Sequence, residues 1–220
     1  MRGRPIALHA HQAPDRCRGT YLVEKPIASG NMSRMLGLIA MMGLPGAGKS
    51  TLALPLARAL DAWIVSRDTI RLAMFDPCEF TDTEKHAAFQ GVLSAIQANC
   101  ELGRISVVDG MPFSRVGEYE TAARTVSQCG RIALPILLNI APEVAAARIV
   151  AQTEDGRAPA DDRTSELPED VSRRFRSPPP GALLLDAERP PEHLLRSALE
   201  WIDQCLSKHA ELPSCLLRKK

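Results

Sequence analysis

Lys49 and Ser50 stand near the end of Gly43-Leu44-Pro45-Gly46-Ala47-Gly48-Lys49-Ser50-Thr51, a run that fits the pattern G-x-x-x-x-G-K-[ST]. Glycines at this spacing let a loop turn its backbone N–H groups inward into a concave nest that side chains would block. Such a nest suits phosphate oxygens. A lysine at the pattern's last turn can reach the β- and γ-phosphates of a nucleoside triphosphate, and the Ser50 hydroxyl can take a place on Mg²⁺. Gly43, Gly46, Ala47, Gly48, Lys49, Ser50 and Thr51 are therefore expected to form a triphosphate site, with ATP and Mg²⁺ as its cofactors. In a chain with these Gly, Lys, Ser and Thr contents, chance supplies roughly 0.002 such matches.

Two further stretches carry residue types that phosphoryl transfer uses. Ser66-Arg67-Asp68-Thr69-Ile70-Arg71 puts a carboxylate and, three residues on, a guanidinium on one face of a helix's first turn. Asp68 can accept the proton of an acceptor hydroxyl, and Arg71 can grip an anionic group of that acceptor. With the same spelling, Asp68 can be a simple helix cap and Arg71 a solvated side chain. Val107-Val108-Asp109-Gly110 is an apolar run ending in a carboxylate, as a Walker B element needs for a water-mediated hold on Mg²⁺; an acidic turn residue reads the same way. Arg148, Arg157 and Arg163 are the arginines available for charge that spreads over the transferred phosphate, Arg148 being the best placed by its helix. His86, His193 and His209 fall on helical patterns and read as surface or interface residues.

The surrounding pattern supplies elements able to position these groups. Leu36 to Met42 is a continuous apolar run of the kind a fully buried parallel strand shows, and helical apolar spacing follows the glycine-rich loop. Pro55 falls inside that helix, where a kink or local distortion is expected. Strand-like runs recur at 62–65, 105–108, 132–140 and 182–185. Between them, Thr81-Asp82-Thr83-Glu84 is a capping-box start to a helix through Leu102, Ser114 to Gln128 is the next helix, Pro142 opens one to about Gln152, and Pro190 opens the last, to about Leu206. Five strands alternating with helices imply an α/β fold, a parallel sheet covered on both faces, with ligands at the carboxyl ends of the strands. Thr153 to Ser165 is polar, bears Gly and Pro, and reads as a lid over the triphosphate, about 153–166, or as a solvated connection.

Composition bounds the rest. The 220 residues are 45% hydrophobic and 24% charged, enough for one substantial core. Residues 1–32 carry five basic residues against two acidic ones and no sustained period, so they read as a disordered basic arm, or as sequence preceding the biological start. Residues 33–210 form the domain, and 211–220 a basic tail. Removing the two basic ends leaves a mildly acidic body, which weighs against a polynucleotide held along a basic groove. Six scattered cysteines without zinc-ligand spacing suggest reduced thiols, and no apolar run is long enough for a membrane helix, so a cytoplasmic protein without membrane contact is expected.

Taken together, GLPGAGKST, SRDTIR after the second strand, VVDG after the third, and Ala141-Pro142-Glu143-Val144 leading to Arg148 resemble the P-loop kinase-like ATP-binding proteins. These group with the polynucleotide kinase 5′-hydroxyl kinase domain, the zeta toxins and chloramphenicol phosphotransferase. The resemblance spans about residues 35–205. It implies a P-loop NTPase three-layer αβα sandwich with strand order 2-3-1-4-5, Mg-ATP as donor, Asp68 as general base, Arg71 on an acceptor anion, Asp109 as the carboxylate after strand three and Arg148 as the arginine opening the lid. Members often carry a second arginine three residues after that position. This chain has Ala151 there, so Arg157 or Arg163 would have to serve. The leading function is thus a kinase acting on a hydroxyl of a small molecule or nucleotide. Two alternatives are a 5′-hydroxyl polynucleotide kinase and an ATP-binding or ATP-hydrolysing regulator. A GTPase is not indicated: Asp109-Gly110-Met111-Pro112 lacks the glycine of D-x-x-G, and there is no N-K-x-D. The acceptor pocket is expected to draw on Phe75 to Gln90 and on the lid.

Overall fold

A computed structural model describes residues 35–154, 164–175 and 177–210. The basic arm and tail, most of the expected lid, and Arg157 and Arg163 lie outside the described residues. Twelve elements follow in chain order among those described: β1 (Leu36–Gly43), α1 (Lys49–Ala59), β2 (Trp63–Ser66), α2 (Arg67–Met74), α3 (Asp82–Glu101), β3 (Ser106–Asp109), α4 (Glu118–Gln128), β4 (Ile132–Asn139), α5 (Pro142–Glu154), α6 (Leu167–Arg174), β5 (Leu183–Asp186) and α7 (Pro191–Ala210). All strand pairings are parallel, in the order β2-β3-β1-β4-β5.

The continuous apolar spelling of β1 follows from its place at the centre of the sheet, where every residue is buried. Ile39 and Met41 enter one core with α1 and α7, while Leu38, Ala40 and Met42 enter the other with α3 and α4. Such a strand has no polar face to alternate with. At the edge, β2 is different: Trp63 and Ile64 are exposed, and the Arg104 guanidinium lies 4.1 Å from the Trp63 ring centre.

Local chemistry explains most element ends. At the start of α3 the Thr81 hydroxyl accepts from the Glu84 N–H (3.2 Å) and the Glu84 carboxylate accepts from the Thr81 N–H (2.9 Å), a complete capping box. Helix α1 runs unbroken through Pro55. The carbonyl that loses its N–H partner belongs to Thr51, an exposed residue that water can serve. Helix α4 begins at Glu118, four residues later than the pattern suggested, because Gly117 is its N-cap and the preceding residues close a turn in which the Arg115 N–H donates to Glu118 Oε2 (3.1 Å). Helix α6, with its polar sequence and only Pro168 and Val171 buried, left no periodic signal to find.

Candidate active site

In-register pairing places Ser66 at the end of β2 opposite Asp109 at the end of β3, and Gly43 of β1 opposite Leu138 of β4. The residues that follow these ends therefore meet on one rim, where ligands of such sheets bind. The loop Gly43–Gly48 is held on both sides: the Gly43 N–H donates to the Pro112 carbonyl after β3 (3.3 Å), and Gly46 lies against the Ala145 carbonyl of α5. A Cβ on Gly46, at φ +82°, would strike that carbonyl, so the spelling of the loop is set by packing as well as by the phosphate nest. Lys49 Nζ donates to the carbonyls of Gly43 (2.9 Å) and Leu44 (2.8 Å), which holds its charge at the mouth of the loop.

A cavity of about 290 Å³ opens there. Gly46, Gly48, Lys49, Ser50, Thr51, Asp68, Asp109 and Gly110 all line it, together with Arg67 and Gln152. Gly43 and Ala47 shape the loop from behind and are buried. The sequence's phosphate loop and its two carboxylates are thus brought to one space by three different strand ends.

Asp68 is anchored rather than loose. Its Oδ1 accepts from Arg71 Nη2 (3.3 Å) and Arg67 Nη2 (3.4 Å), and its other oxygen lies against Gly110, where an added Cβ would stand 3.0 Å away. The Ser66 hydroxyl, not Asp68, caps α2 by accepting from the Thr69 N–H (3.2 Å). The plain alternative of a capping aspartate is therefore set aside.

Arg71 lies behind Asp68. Its side chain is 1% exposed, stacks with its guanidinium carbon 4.3 Å from the Phe80 ring centre, and lines neither this cavity nor the next. Burial against Phe80 sets its guanidinium beside Asp68 instead of in either lining. Arg67, which sequence reasoning passed over, takes the open position: at 18% exposure it contacts Asp68 and lines both cavities. Burial pushes its guanidinium below its ordinary range, an effect that Asp68 opposes. Its only sequence signal was adjacency to Asp68. Arg148 is engaged by the backbone beyond β5. Its Nη2 donates to the Ala187 carbonyl beyond β5 (3.0 Å), and Gln152, one turn further along α5, faces the cavity instead.

The fit of the site to Mg²⁺ can be tested on Asp109. Its Oδ1 is buried with no hydrogen-bond partner among the described residues, a costly state for a carboxylate oxygen unless something else completes it. Ser50 lines the same cavity. No group of three or more His, Cys, Asp or Glu residues that could hold a metal by itself occurs among the described residues. Mg²⁺ at nucleotide sites is held in just this way, through one or two protein oxygens plus phosphates and water.

Residues 38–178 match the AAA domain family, a P-loop kinase-like family. The chain belongs to that family. No curated protein matches the sequence. Among solved structures, the family's fold here is similar to a gluconokinase from Sinorhizobium meliloti 1021 (17% identity, TM-score 0.62, 80% of this chain and 97% of that one). It is also similar to the Mycobacterium tuberculosis APS kinase in complex with AMPPNP and APS (14%, 0.60, 77% and 98%) and to a sugar kinase from Janibacter sp. HTCC2649 (17%, 0.58, 76% and 94%). The αβα sandwich and the strand order 2-3-1-4-5 that the resemblance implied are those of this P-loop kinase fold.

A second cavity, of about 330 Å³, adjoins the first and shares Pro45, Arg67, Met111, Pro112 and Leu167 with it. Lys85, His86 and Phe89 of α3 line it, within the segment expected to serve an acceptor. Arg115, Glu118, Val171 and Arg174 join it from the loop before α4, the start of α4 and α6, regions the sequence did not point to. Burial pushes the Glu118 carboxyl above its ordinary range, against the pull of Arg67, Arg115 and Arg174.

Proposed function

We propose that the protein is an ATP-dependent kinase that transfers the γ-phosphate to a hydroxyl of a small molecule or nucleotide, with Asp68 as general base. One observation carries the reading: a phosphate-loop cavity lined by an anchored carboxylate adjoins a second cavity of small-molecule size, with Arg67 in the lining of both. A transferase needs two adjoining sites; a nucleotide-binding regulator needs one.

In this reading the loop N–H groups, the start of α1 and Lys49 hold the triphosphate. Ser50 and Asp109 would hold Mg²⁺, which when bound neutralises charge on the β- and γ-phosphate oxygens. Asp68 accepts the proton of the acceptor hydroxyl as its oxygen attacks the γ-phosphorus and the bond to the ADP oxygen breaks. Arg67 and Arg71 keep that carboxylate oriented, and Arg67 offers positive charge beside the transferred group. The cationic lid residues Arg157 and Arg163, with Arg148, remain proposals for the same task.

The test is a pair of variants. Lys49→Ala should weaken Mg-ATP binding, as measured by calorimetry. Asp68→Ala should leave that binding within about twofold while removing phosphate transfer, since positioned acid–base groups contribute about 10²- to 10⁴-fold. Undiminished ATP turnover in Asp68→Ala would replace the kinase reading with the regulator.

A further inference from the structure

The second cavity has a charge pattern at odds with the mildly acidic body around it. Arg67, Lys85, Arg115 and Arg174 line it from four separate segments, and Glu118 is the one carboxylate among its described lining residues. Even with Asp82, which accepts from Arg115 Nη2 at the rim (2.8 Å), and Asp68, which accepts from Arg67 Nη2 (3.4 Å), the described groups leave an excess of one positive charge. Arg67, Arg115 and Arg174 all act on the Glu118 carboxyl and line the same cavity. Phe89 and Val171 add apolar surface to the lining. A volume of about 330 Å³ is of small-molecule size, at the low end of the range of about 300–1,000 Å³ for such sites.

Resting on the kinase reading for its role, we infer that this cavity binds a small hydroxylated anion, a carboxylate or a phosphate monoester, whose charge is held by Arg115 and Arg174 while its hydroxyl points past Arg67 toward Asp68. Guanidinium groups bind both kinds of anion through paired N–H donors, and an anion anchored at the far end orients the neutral end toward the first cavity. Glu118 accepts from a further hydroxyl of the ligand and discriminates against compounds lacking one.

Calorimetry on the full chain saturated with Mg²⁺ and AMPPNP, so that the phosphate loop is filled, tests this with gluconate, glucose 6-phosphate and glucose as probes. At least one of the two anions should bind ten times more tightly than glucose. Raising salt from about 50 to 200 mM should weaken that anion and leave glucose unaffected. Arg115→Ala/Arg174→Ala should weaken it at least tenfold with AMPPNP affinity within twofold, and circular dichroism confirms that the variant is folded. Preference for gluconate or for the phosphate ester identifies the anion. The inference is overturned if glucose binds as tightly as both anions, if neither anion binds below about 10 mM, or if the double variant leaves anion binding intact. Failure of AMPPNP to bind instead strikes the kinase reading, and the anion titrations repeated without nucleotide still decide the cavity's ligand.

Discussion

Gly110 offers a graded test of whether the position of Asp68 matters, because it perturbs the carboxylate without removing it. A Cβ at this residue would stand 3.0 Å from Asp68 Oδ2, 3.1 Å from its Cγ and 3.2 Å from its backbone N, where ordinary contact begins at 3.4 Å. Gly110→Ala must therefore move Asp68 by about 0.4 Å. A misplacement of 1 Å at a reacting centre costs about 10²-fold, so this shift should lower kcat about fivefold to tenfold. The φ of +75° adds about 1–2 kcal/mol of backbone strain. At about 2–4 °C per kcal/mol, the melting temperature should fall by about 2–8 °C. Coupled ADP-release kinetics with a turned-over acceptor, calorimetry with Mg-ATP and a thermal melt together read all three quantities. Unchanged kcat alongside the lower melting temperature would refute the claim that Asp68 works from this position. A parallel loss of ATP affinity would instead locate the effect of Gly110 in the donor cavity.

Three other outcomes follow from the same structure. Gly46→Ala, at φ +82° and facing the Ala145 carbonyl, should cost more than about 2 kcal/mol in thermal unfolding without nucleotide and should also weaken Mg-ATP binding. Backbone hydrogen bonds from Glu79 and Thr81 hold the Glu84 carboxyl below its ordinary range. Its stabilising contribution is therefore present above the unfolded value, near 4.5, and is lost as pH falls through the lower folded value. The melting-temperature gap between wild type and Glu84→Gln should accordingly be clear at pH 7 and close toward pH 3. Burial pushes the Cys100 thiol up to about 11. At pH 8 only about one thiol in a thousand is then ionised, so peptide mapping after iodoacetamide should find Cys129, which is exposed, modified long before Cys100.

What the sequence made legible was local. Gly43 to Thr51 and the capping box at Thr81 and Glu84 depend on neighbours a few residues away, and β1 announced its burial because every residue in it meets a core. The strand order came from a family resemblance and not from periodicity. What stayed hidden depended on tertiary approach. Arg71 and Arg67 are alike as letters, yet Phe80 covers one and leaves the other on the cavity walls. Arg115 and Arg174 lie 59 positions apart in the chain and face one cavity only because α6 packs beside the loop before α4. Helix α6 itself is short and polar, and its single well-buried aliphatic, Val171, is too little to make a period.

The most direct measurement is the acceptor-stimulated release of ADP across a panel of hydroxyl compounds, run in parallel with wild type and Asp68→Asn. At least one compound should raise ADP release well above the rate with water alone, a phosphate ester of that compound should accumulate, and Asp68→Asn should remove the increment while the background rate and ATP affinity persist. Hydrolysis that is the same with every compound and the same in both proteins would contradict the kinase reading.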